Sequence, residues 1–123
     1  MEKQSASTGE IILYNVNEKI SLEVHLEQET VWLNRQQIAL LFNRDVKTIG
    51  KHITNALKEE LADVSTVANF ATVQKEGNRI VSRSVEYYNL DMILSVGYRV
   101  KSHRGVLFRQ WATKTLKEFL LCG

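Results

Sequence analysis

A chain of 123 residues with one cysteine, Cys122, has the length of one domain and excludes an intrachain disulfide. Its 44% hydrophobic and 24% charged residues exclude a low-complexity chain; no apolar run reaches membrane-span length, no signal peptide is read, and a soluble cytoplasmic protein is expected. The net charge of +2 divides into blocks of −4 over residues 1–33, +4 over 34–58, −3 over 59–74, +3 over 75–104 and +2 beyond, a clustering whose simplest use is a polyanion partner.

Residues 1–8 are polar and are expected to form a flexible tail, with 9–123 a single domain. Ile11 to Val16 is a short apolar run suited to a strand, and Asn15 to Lys19 contains a turn. Ile20, Leu22, Val24 and Leu26 alternate with Ser21, Glu23, His25 and Glu27, the period of a half-buried strand. One antiparallel hairpin with an acidic outer face is therefore expected, continuing through Thr30 to Leu33 into the first helix. His25 reads as an exposed strand residue rather than a ligand.

Val31 to Glu59 carries the strongest pattern. Asn34 can cap a helix, Gln37 can reach back to it, and Leu33 and Ile38 sit where a hydrophobic staple forms. Ile38, Leu41 and Phe42 recur at helical spacing. Asn43-Arg44-Asp45 makes the turn: Asn tolerates left-handed angles, and Asp45 can cap the next helix. That helix places Val46, Ile49, Ile53 and Leu57 on one stripe and Lys47, Lys51, Asn55 and Lys58 opposite, with Thr48 and His52 between. At about 1.5 Å per residue it is a rod of about 20 Å, able to fill a major groove. The bland alternative is a solvated amphipathic helix.

Ser65 is expected to cap a short helical turn through Phe70. A strand, turn and strand follow over Ala71 to Val85, with Gly77 and Asn78 suited to positive φ. Lys75, Arg79 and Arg83 near the tip suggest a wing that meets phosphate, against the plain alternative of a hairpin made basic for solubility. Tyr87 and Tyr88 can pack beneath it. Asn89 caps a helix over Leu90 to Val96, and Gly97 stops it. A basic loop from Tyr98 to Gly105 precedes the last helix, which runs from His103 or Arg104 to Leu121. Its apolar face of Phe108, Trp111, Ala112, Thr115, Leu116, Phe119 and Leu120 reads as core. The expected fold class is α+β: an N-terminal β-hairpin, a helix-turn-helix-like pair, a basic wing-like β-hairpin, then two C-terminal helices.

The stretches VWLNRQQIALLF, NFATVQKEGNR and YYNLDMILSVGYRVKSHRGVLFRQWATKTLKEFL together resemble the virulence-associated RhuM family, over nearly everything from Ile20 onward. The order of helix pair, hairpin, Arg-rich loop and F-R-x-W helix is more distantly similar to the Bro-N domain of viral and phage antirepressor-like proteins. The resemblance implies a bacterial DNA-binding protein associated with mobile or restriction-modification genes. Such sequences usually have Gly-Val where this chain has Asn43-Arg44, so the turn is expected to pack differently or to gain a phosphate contact. They generally continue into a longer C-terminal region, so this chain is expected to be a domain-sized piece or a short member.

The expected function is regulatory binding of double-stranded DNA by Arg35, Arg44, Lys47, Thr48, Lys51, His52, Asn55, Lys75, Arg79, Arg83, Arg99, Lys101 and Arg104. If about five phosphates are neutralised, log affinity falls with log salt at a slope near −4.5. The rival reading is an antirepressor-like module that binds a protein regulator. A homodimer through the C-terminal helix is a further expectation, since DNA readers of this kind often pair to meet two half-sites. No membrane partner, cofactor, metal or catalytic site is expected. His25, His52 and His103 lack metal-ligand spacing, and the Tyr98, Arg99, His103, Arg104 cluster suits binding a phosphodiester better than cleaving it.

Overall fold

The computed structural model describes residues 9–122, with side chains as far as Phe119; the expected tail over 1–8 and the apolar role of Leu120 lie outside that description. The elements are β1 (Glu10–Asn15), β2 (Ser21–Glu27), β3 (Thr30–Asn34), α1 (Arg35–Phe42), α2 (Val46–Lys58), β4 (Val67–Glu76), β5 (Arg79–Asn89), α3 (Leu90–Arg99) and α4 (Arg104–Cys122). The fold is α+β: one antiparallel five-stranded sheet of order β1-β2-β3-β5-β4, with four helices.

The alternation read in β2 sets the two faces of the sheet. Leu22, Val24 and Leu26 point inward with Val31, Leu33 and Tyr88 into one core, where they join Ile38, Leu41 and Phe42 of α1, Ile49 and Ile53 of α2, Met92, Ile93 and Val96 of α3, and Phe108 and Ala112 of α4. Tyr14 of β1 meets Phe108 edge-on with ring centroids 5.1 Å apart and Trp111 at 4.8 Å, so the aromatics of α4 are core, as expected. On the opposite face His25, Trp32, Phe70 and Tyr87 form a second aromatic cluster, with Trp32 and Phe70 edge-on at 5.4 Å. The Trp32 indole N–H donates to the Glu27 carbonyl at 2.9 Å. His25 is half-buried against Phe70 and Tyr87 rather than exposed.

Four further expectations are corrected. Residues 20–33 are two strands: β2 turns into β3 at Gln28 and Glu29, whose φ values of 54° and 63° make the primed two-residue turn that matches strand twist. Val67 to Phe70 belongs to β4 and is not helical, because Val67 pairs with Tyr88 and Phe70 with Val85, and Phe70 completes the second aromatic cluster. Gly97 does not stop α3, which continues to Arg99 and ends where Lys101 takes φ 55°. The hairpin tip also uses only one positive φ, at Gly77.

β4 and β5 are longer than the sheet they join. β3 pairs only with Tyr87 to Asn89, so the eight pairs from Asn69–Glu86 to Glu76–Arg79 form a two-stranded arm. At about 3.4 Å per residue it is about 27 Å long.

Candidate nucleic-acid interface

The helix pair is fixed at its ends by local chemistry. Asn34 Oδ1 accepts from the Gln37 N–H at 2.9 Å, and the Asn34 N–H donates to Gln37 Oε1 at 2.9 Å, a reciprocal capping box. Asn43 sits at φ 53°, ψ 53° and closes α1. Asp45 Oδ2 accepts from the Lys47 and Thr48 N–H groups at 3.0 and 3.2 Å and opens α2. Ile49, Ile53 and Ala56 then face the core, which turns Lys47, Lys51, Thr54, Asn55 and Lys58 to solvent.

Arg35, Lys47, Gly50, Lys51, Thr54 and Asn55 line one open depression of about 490 Å³. The Arg35 guanidinium of α1 lies over Gly50 of α2, where a Cβ would meet its Nη at 3.5 Å, an ordinary van der Waals distance. No ion pair among the described residues engages Arg35, Lys47 or Lys51. Arg35 also reaches the buried Tyr88 phenol, whose pKa is raised above its ordinary value by burial first and then by its hydrogen bond to Glu86, with Arg35 opposing. Thr48 and His52, expected as base readers, are half-buried and do not line the depression. Gly50 and Thr54 were missing from the expected set. Thr54 could have been found from spacing, since it stands three residues after Lys51 and seven after Lys47.

Several expected cations are engaged elsewhere. Arg44 donates to the carbonyls of Phe42 at 2.9 Å, Asn43 at 3.2 Å and Val100 at 3.3 Å. Arg104 donates to the Leu41 carbonyl at 3.1 Å. The two guanidiniums thus satisfy carbonyls at the negative end of α1 that the helix leaves unpaired. Arg99 clamps Glu59 at 2.7 Å and Glu60 at 2.6 Å, and this hydrogen bond holds the Glu60 carboxyl below the usual carboxylate range. Arg83 makes a bidentate pair with Glu76 at 2.6 and 2.7 Å. In the arm, register puts Arg79 and Arg83 on the face that carries Phe70 and Tyr87, and Lys75 on the other. The wing cations do not share a face. Lys101 is exposed beside the end of α3.

Residues 65–123 match the model of the virulence protein RhuM family. No curated protein and no solved structure matches the chain. The RhuM match takes in β4, β5, α3 and α4 and leaves the helix pair outside it. Two arginines join the parts: Arg104, within the RhuM segment, holds α1 through Leu41, and Arg44, in the turn of the helix pair, holds the RhuM segment through Val100. The turn between α1 and α2 is thereby fixed against the loop between α3 and α4. No helix of the described residues is long and apolar enough to cross a membrane.

Proposed function

We propose that this chain binds double-stranded DNA as a cytoplasmic bacterial regulator, with α2 in the major groove. The observation that supports this best is the depression where Arg35, Lys47 and Lys51 converge with no carboxylate among its lining residues. Cations that no carboxylate among the described residues engages are suited to phosphate, and Asn55 and Thr54 beside them carry the hydrogen-bonding groups that read base edges. Arg35 and Lys47 hold the backbone on either side, and Lys51 and Asn55 face the groove floor. Lys75 and Arg79 lie on opposite faces of the arm, so at most one of them adds a backbone contact. Arg44, Arg99 and Arg104 build the scaffold and leave the contact to their neighbours.

The experiment is fluorescence anisotropy with a random-sequence duplex at low salt, comparing the wild type with the Lys47→Glu/Lys51→Glu double variant. Glu at position 47 enters the first turn of α2, where the helix dipole favours an acid, so the variant keeps its fold. Binding by the wild type and its loss in the variant, with unchanged thermal melting, is the expected result. Equal binding by both proteins, or none by either, refutes the reading.

A further inference from the structure

α3 carries a feature unrelated to the helix pair. Leu94, Tyr98 and Lys101 line two open depressions at once and so form the ridge between them. One depression, of about 560 Å³, has Lys101, His103 and Arg109 in its wall and no carboxylate. The other, of about 750 Å³, has Glu59, Glu60 and Asp91, against which Arg99 and the ridge residue Lys101 are the only cations. Charge therefore changes sign across the ridge. Tyr98 at its crest is 85% exposed, the highest value among the exposed large hydrophobics.

Asp91, Leu94 and Tyr98 are spaced three and four residues apart in α3, so they fall on one stripe, and Lys101, just past the end of the helix and lining the same depression, continues it. The stripe reads acid, apolar, aromatic, base. Laid antiparallel on a copy of itself, it sets Leu94 against the partner's Tyr98, and the same register sets Asp91 against the partner's Lys101. Each contact occurs twice, as a twofold axis requires.

We propose that this α3 stripe is the seam of a twofold homodimer. The occupant is a second copy because the patch is self-complementary. A uniformly acidic or basic partner would be attracted by one flank and repelled by the other, whereas a rotated copy brings acid to base on both sides. Burying Tyr98, Leu94 and their surroundings makes a small interface, in the class of weak, reversible association. This surface is distinct from α4, where pairing was expected from the sequence.

The test is sedimentation equilibrium of the full chain from about 1 to about 200 µM. The expected mass rises from the 14.1 kDa monomer toward twice that value. Asp91→Lys and Lys101→Asp each juxtapose like charges and weaken pairing about tenfold or more, as does Tyr98→Ala. An equimolar mixture of the two charge variants pairs again, because both cross-contacts are then acid with base, and the double variant likewise recovers. Recovery separates the seam from a folding defect, since the double variant keeps whatever Lys at position 91 costs the first turn of α3. A monomer at every concentration overturns the proposal, as does a dimer indifferent to these changes. Loss of duplex affinity in the charge variants of a monomeric protein also overturns it and assigns the stripe to nucleic acid.

Discussion

Gly97 lacks a side chain for a reason that lies on other helices. A Cβ there would come within 2.8 Å of the Phe42 ring and 3.4 Å of the Gly105 Cα. Phe42 is buried at the centre of the core and cannot swing aside. Ala would gain about 1 kcal/mol of helix propensity, but overpacking against a fixed ring opposes this by about 1–3 kcal/mol. Gly97→Ala is therefore expected to lower stability on balance, read as a lower urea midpoint with the slope unchanged. Such a glycine reads as a helix stop in the sequence because its neighbour, Phe42, is 55 residues away. Arg99 was misleading in the same way. It reads as a free cation beside a basic loop, and its carboxylate partners stand 39 and 40 residues earlier. The Glu60 carboxyl titrates below its unfolded value, so the clamp contributes fully above that value and is lost as pH falls through the folded one. The melting temperature of Arg99→Gln should lie below that of the wild type at neutral pH, and the two should converge in acid.

At the scale of elements, what the sequence disclosed was what neighbours decide. The caps Asn34, Asp45 and Asn89 act within three residues of themselves and were all legible. The β2–β3 turn was not, because Gln28 and Glu29 adopt left-handed angles that their side chains disfavour; the pairing of Glu27 with Thr30 imposes the turn. Likewise Ser65 to Phe70 has the composition of a capped helical turn, and only pairing with β5 makes most of it a strand. The strained turn yields a prediction. Gln28→Asn together with Glu29→Gly installs the pair that a primed two-residue turn prefers, and removing two left-handed penalties should stabilise the fold by about 1–2 kcal/mol. Thermal melts would show a rise of several degrees. A fall would mean that these side chains make contacts outweighing the backbone strain.

For the molecule as a whole, the central question is which positive charges are available to a polyanion. Sequence alone counts every Lys and Arg in the basic blocks alike. In the fold they divide: Arg44 and Arg104 satisfy the end of α1, Arg83 and Arg99 are matched to carboxylates, and Arg35, Lys47 and Lys51 converge around one depression on α2. That division makes the proposed function quantitative. Each phosphate neutralised contributes about −0.9 to the slope of log affinity against log salt. Lys47→Ala should thus reduce the steepness of that slope by about 0.9. Lys51→Ala, at a residue that faces the groove floor, should instead relax base preference. Arg99→Gln should leave the slope unchanged, because its guanidinium is committed to Glu59 and Glu60 in the free protein. Duplex titrations at four salt concentrations would separate these cases. Equal loss of slope from Lys47→Ala and Arg99→Gln would mean that the clamp opens on binding, and that α2 is not the principal electrostatic contact.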